Sequence, residues 1–139
     1  MGQESLNDGP IPRILVIEDD PATTEMLKKD LGLLGCAVTF TATAEEGIAV
    51  LSKDSFNAVL TDLCARIGGG RSVAQWIKKN NPSTKCFLIT SWKGDLDQRF
   101  LDRDGVTGII QKPVLLGQVR EKLLSVEGIT LAGGRPEDA

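Results

Sequence analysis

The run ILVIEDDP, residues 14–21, sets four apolar residues directly against three consecutive carboxylates and a proline. An unbroken apolar, β-branched stretch such as RILVI, 13–17, reads as a strand covered on both faces. Asp20 followed by Pro21 is a helix start, with an N-cap carboxylate and proline at the first helical position. Leu27, Leu31 and Leu34 then recur at i, i+4 and i+7, and Gly35 supplies the stop. Asp20 therefore reads as a cap, while Glu18 and Asp19 stand at the strand end. Carboxylates this close repel unless one is protonated or a cation joins them.

The same plan repeats along the chain. CAVTF at 36–40 reads as a second strand, and Thr43 with Glu46 fits a capping box ahead of a helix bearing Ile48 and Leu51. NAVLT at 57–61 is a third strand ending at Asp62, and the next helix carries Val73, Trp76 and Ile77 on one face. KCFLIT at 85–90 is a fourth strand, followed by a polar, weakly helical stretch. TGIIQ at 107–111 is the fifth, before Lys112-Pro113 and a last helix using Leu116, Val119 and Leu123. Five strands alternating with helices predict an α/β fold, a five-stranded parallel sheet doubly wound with helices on both faces. Residues 1–12 read as a flexible lead-in or linker, 13–125 as one domain, and 126–139 as a frayed C-terminal tail.

Composition narrows the chemistry. The chain has 139 residues, is 41% hydrophobic and 25% charged, and carries a net charge of −3. That balance gives no electrostatic reason to bind nucleic acid, and no apolar run approaches membrane-spanning length. No signal-peptide pattern opens the sequence, so a cytoplasmic setting is expected. The absence of histidine excludes Ser-His-Asp and Cys-His catalysis and His-ligated zinc in this chain. Cys36, Cys64 and Cys86 show no CxxC spacing, and Cys36 and Cys86 read as small apolar strand residues. IGGGRS at 67–72 lacks the spacing and the lysine of a phosphate-cradling loop.

In open α/β sheets the ligand site lies beyond the carboxyl ends of the strands. There the sequence puts Glu18 and Asp19 after strand one, Asp62 after strand three, Thr90 after strand four and Lys112 after strand five. A hard divalent cation is the natural partner of the carboxylates: Mg²⁺ takes oxygen ligands and binds one or two carboxylates together with a phosphate. Lysine supplies a mobile positive charge and threonine a short donor. Together they suit phosphoryl transfer, in which a carboxylate can be the nucleophile.

At these residues the chain resembles the response-regulator receiver domains of two-component signalling, over roughly residues 13–125. The carrying motifs are IED after strand one, LTD after strand three, ITS after strand four and QKP after strand five. Their spacings of 28 residues from Asp62 to Thr90 and 22 from Thr90 to Lys112 also suit the family, as does Gly70. The resemblance implies a flavodoxin-like sheet of strand order 2-1-3-4-5 and Asp62 as phosphoacceptor. It implies Mg²⁺, with Mn²⁺ as an alternative, held by Asp19, Asp62 and the backbone carbonyl of Cys64, with Glu18 assisting through water. Thr90 and Lys112 would bind the phosphoryl group, the Lys112-Pro113 bond would be cis, and Ile109 would occupy the switch position on strand five. The donor would be a histidine kinase or phosphotransfer protein. A downstream protein would dock on the face made by the fourth helix, fifth strand and fifth helix, with neither nucleic acid nor membrane as partner. Such a domain is a signalling switch that assists its own phosphorylation and dephosphorylation, not a turnover enzyme.

Ala65-Arg66 stands where the family commonly has Met-Pro, and Ile109 where it often has an aromatic. These departures leave open a degenerate receiver acting as a phosphorylation-independent interaction module. Cys64 and Trp92 fall at positions that influence loss of the phosphoryl group, and Trp92 is expected to shield it. An aspartyl-phosphate hydrolase would want a second acid two residues after the nucleophile, where Cys64 stands.

Overall fold

The computed structural model describes residues 11–62, 69–91 and 98–131. Five parallel strands, β1 (Arg13–Ile17), β2 (Ala37–Thr41), β3 (Ala58–Asp62), β4 (Lys85–Thr90) and β5 (Gly108–Gln111), form one sheet of order β2-β1-β3-β4-β5. They alternate with α1 (Pro21–Leu33), α2 (Ala44–Leu51), α3 (Gly69–Asn80), α4 (Gln98–Asp104) and α5 (Leu116–Leu124). The chain moves from β1 outward to β2, then returns to the other side of β1 with β3. This reversal opens a crevice between the carboxyl ends of β1 and β3.

Both faces of the sheet are covered, which is why its strands lack polar alternation. Ile14 and Val16 of β1 join Leu60, Phe87, Ile89 and Ile110 in a cluster roofed by Leu27 and Leu31 of α1 and Val119 and Leu123 of α5. Leu15 and Ile17 point the other way, into a cluster with Val59, Leu88, Leu51 of α2, Val73 and Ile77 of α3 and Leu101 of α4. Cys86 lies in that second cluster, where burial pushes its thiol up to about 12. Cys36, half-buried ahead of β2, is pushed up to about 11 by the same cause, so neither thiol is poised for reaction.

The helix ends follow the local chemistry of the sequence. Asp20 caps α1: it accepts hydrogen bonds from the Thr23 amide at 3.3 Å and the Thr23 hydroxyl at 2.6 Å. Those bonds, the hydroxyl first, hold its carboxyl below the usual aspartate range. Gly35 follows the end of α1 at φ 80°, a left-handed conformation that glycine adopts without penalty. Thr43 and Glu46 form the complete capping box of α2.

Two expectations need correcting. Leu116 is 38% exposed at the first position of α5, and Val114, just ahead of the helix, packs into the core instead. The packing also continues past residue 125: Val126 and Ile129 are buried in the same cluster as α1 and α5, where the sequence reads as a frayed tail. At the other end Pro12 is buried, and its carbonyl accepts a hydrogen bond from the Ala37 amide at 2.8 Å. Residues 1–10 and 132–139 lie outside the described residues.

Candidate functional site

The carboxyl edge of the sheet collects the charged and hydroxyl residues. Glu18 and Asp19 follow β1 directly, Asp62 and Thr90 are the last residues of β3 and β4, and Lys112 follows β5. One carboxylate oxygen each from Glu18, Asp19 and Asp62 lies within 4.8 Å of the others, across the crevice between β1 and β3. Forty-three residues of sequence separate Asp19 from Asp62, and the sheet topology closes that distance.

The three acids are not equivalent. Asp19 is exposed and Asp62 half-buried, whereas the Glu18 side chain is completely buried. Glu18 is pinned at several points. Its amide donates to the Thr41 carbonyl at 3.0 Å, and its Oε2 accepts from the Asp20 amide at 3.1 Å. Lys112 Nζ stands 3.3 Å from Oε1, close enough for charge attraction, and among the described residues Oε1 accepts no hydrogen bond. Burial pushes the Glu18 carboxyl above its ordinary value. The Asp20 amide opposes that shift, the Asp62 charge adds to it, and Lys112 opposes it.

A buried carboxylate oxygen without a donor carries a desolvation cost that a cation can offset. This orphaned oxygen, grouped with two further carboxylates, fits a hard divalent ion with an all-oxygen shell. Thiolate or imidazole ligands are absent from the described cluster.

Thr90 is buried at 3% exposure, and its carbonyl accepts from the Lys112 amide at 2.8 Å, tying the ends of β4 and β5 together beside the acids. The Lys112–Pro113 peptide bond is cis. Ile109 of β5 is half-buried against the cluster containing Leu88 and Leu101. Cys64, whose carbonyl the resemblance assigns to the metal, lies outside the described residues, as do Ala65, Arg66 and Trp92. The sequence singled out the acids and Lys112 but not the burial that separates Glu18 from Asp19. Strand alternation offered no signal for it, because Val16 and Ile17, which precede the two acids in register, are both buried.

A parallel five-stranded sheet with acids and a lysine gathered at its switch point defines a doubly wound α/β domain whose charged residues meet at the strand ends. Residues 14–124 match the family model of the response regulator receiver domain, and the chain belongs to that family. Among curated relatives, the response regulator protein PilR of Pseudomonas aeruginosa is 29% identical over 110 residues, covering 78% of this chain and 24% of that protein. The transcriptional regulatory protein QseB of Haemophilus influenzae is 30% identical over 112 residues, covering 80% and 50%. The chain thus spans half or less of the length of these relatives. A CheY-like receiver domain from Methanospirillum hungatei superposes with a TM-score of 0.76 at 28% identity, covering 84% of this chain and 93% of that one. The receiver domain of a sensor histidine kinase from Pseudomonas aeruginosa, solved with magnesium coordinated in its active-site cleft, shares the fold at TM-score 0.76 and 20% identity, covering 86% and 100%. Among the described residues no helix is long and apolar enough to cross a membrane.

Proposed function

We propose that this domain is a phosphoacceptor switch in which Asp62 takes a phosphoryl group from a phosphohistidine on a partner kinase or phosphotransfer protein. The observation that carries the reading is the trio of carboxylates at the β1–β3 switch point, with Lys112 held against the one that is buried. Asp19 and Asp62 would hold Mg²⁺, with Glu18 behind them and the Cys64 carbonyl as a further ligand. When bound, the ion neutralises charge on the acids and on the phosphoryl oxygens.

The chain's own residues supply the rest. An Asp62 carboxylate oxygen attacks phosphorus, the phosphorus–nitrogen bond of the donor breaks, and its electron pair leaves on the imidazole, which takes up a proton. The product is an acyl phosphate on Asp62. Lys112 then has a new anion to pair with, and moving from Glu18 to a phosphoryl oxygen exchanges one charge contact for another. The Thr90 hydroxyl, at the end of the neighbouring strand, is the donor for a second phosphoryl oxygen. The change in these two contacts would bias the position of α4, β5 and α5, the face offered to a downstream protein. Residues 13–131 are the unit proposed to carry this switch.

A small-molecule phosphodonor tests the reading. Mg²⁺-dependent covalent labelling is expected, and Asp62→Asn is expected to abolish it. Labelling that persists in Asp62→Asn, or that needs no divalent ion, would remove Asp62 from the role.

A further inference from the structure

A second cluster of charge lies at the α3–α4 junction, away from the strand-end acids. Arg71, Gln75 and Lys78 stand at i, i+4 and i+7 of α3 and so form one polar stripe. That stripe is spent on the last turn of α4. Arg71 Nε donates to Asp104 Oδ2 at 2.7 Å and Gln75 Nε2 to Asp104 Oδ1 at 2.9 Å. Lys78 Nζ donates to the Arg103 carbonyl at 2.7 Å, occupying one of the carbonyls that a helix end leaves unpaired. The Asp104 side chain is 3% exposed, so its charge is removed from water and answered by α3.

The backbone is equally constrained. The Val106 amide donates to the Leu101 carbonyl at 2.8 Å and the Gly105 amide to the Asp102 carbonyl at 3.2 Å, the paired bonds of a Schellman ending with Gly105 at φ 85°. Leu101 and Val106 are buried in the same cluster, the apolar contact that accompanies this ending. A Cβ on Gly105 would stand 2.8 Å from Lys78 Cβ and 3.0 Å from the Ala74 carbonyl oxygen. Hence α3 and the end of α4 meet backbone to side chain, with no space for sliding.

We infer that α3 and the C-terminal end of α4 form one mechanical unit, anchored through Asp104 with Gly105 as its pivot. Arg71 lies in the first turn of α3, which begins seven residues after Asp62. The consequence, which rests on the phosphoacceptor reading above, is that a rearrangement of α4 caused by chemistry at Asp62 tilts its N-terminal end while its C-terminal end stays with α3.

Hydrogen exchange on the whole chain tests the anchor. In the wild type, amides 101–106 are expected to exchange together with those of α3. Replacing Arg71 and Gln75 by alanine should speed 101–106 about tenfold, the effect of losing charged hydrogen bonds, and leave the β3 and β4 amides unchanged. Lys78→Met, a milder change that keeps most of the stem, should act in the same direction. If 101–106 exchange independently of α3, or stay unaltered in both variants, the anchor is wrong. With Mg²⁺ and beryllium fluoride as the phosphoryl mimic, bound fluoride is read separately by ¹⁹F NMR. In loaded protein the 101–106 amides should keep their protection, and a loss of protection there would overturn the pivot. Failure to load would count against the phosphoacceptor reading, while the variants still decide the anchor.

Discussion

Lys112 Nζ lies 3.3 Å from Glu18 Oε1, an oxygen that no donor among the described residues satisfies and that belongs to a completely buried side chain. The pair holds opposite charges from the ends of β1 and β5 across the site. In the metal-free protein the lysine offsets part of the repulsion that Asp62 exerts on Glu18. Lys112→Ala should therefore destabilise the metal-free domain by about 1–2 kcal/mol, below the full cost of breaking a buried pair because the lysine is partly exposed. The same change leaves the acidic cluster more negative, so Mg²⁺ should bind more tightly. Denaturant melts in EDTA and calorimetric Mg²⁺ titration check the two signs, and weaker Mg²⁺ binding would contradict the assignment.

Gly47 lies in α2 directly over the strand that carries the acids. A Cβ there would run into Ile17 Cδ1 and come within 2.8 Å of Ile17 Cγ1, and Ile17 immediately precedes Glu18. Gly47→Ala is expected to cost about 1–3 kcal/mol by overpacking, despite the better helix propensity of alanine. It should also weaken Mg²⁺ binding by shifting the end of β1. Equal or greater stability in urea melts would show that Ile17 relaxes freely.

The chain beyond α5 contributes to the core. Ile129 is buried among residues of α1 and α5, so Ile129→Ala should cost about 2–3 kcal/mol. A chain ending at residue 125 should lose more than that relative to one ending at 131, because Val126 leaves with it. Thermal or urea unfolding of the two truncations measures the difference. Equal stabilities would restore the boundary at 125.

Asp104 gives a pH signature. Its hydrogen bonds from Gln75 and Arg71, together with the positive charge of Arg71, hold its carboxyl below the ordinary value of 3.8. A depressed folded-state value means that the charged form stabilises the fold. The contribution is complete above the unfolded value near 3.8 and disappears as pH falls through the lower, folded value. Wild type should exceed Asp104→Asn by about 1–2 kcal/mol at pH 7, discounted because Arg71 is half-exposed. The gap should shrink as pH drops below 3.8. A constant gap across that range would assign it to packing instead of charge.

The fold was legible because each element carries its own local signal. β1 shows an apolar run, Asp20-Pro21 a start, Gly35 a stop, and Thr43 with Glu46 a capping box, none of which requires knowledge of the rest of the chain. The acids and Lys112 were legible for a related reason: parallel strands bring all their carboxyl ends to one edge, so a residue's position after a strand places it. Features set by pairing between distant elements were not legible. Nothing local in the sequence marks Arg71, Gln75 and Lys78, whose partners lie about thirty residues away at the end of α4. Val126 and Ile129 follow a helix end in a Gly-containing stretch, and only their packing with α1 and α5 shows that they are buried. Leu116 matched the helical period but begins its helix, where the period no longer guarantees cover.

Asp62 is proposed above as the nucleophile of a metal-assisted acceptor site. Intact-mass measurement of the whole chain incubated with a small phosphodonor tests it most directly. One added phosphoryl group is expected with Mg²⁺ present, none with EDTA, and none in Asp62→Asn at either condition. A phosphoryl adduct in Asp62→Asn, or full labelling in EDTA, would contradict it.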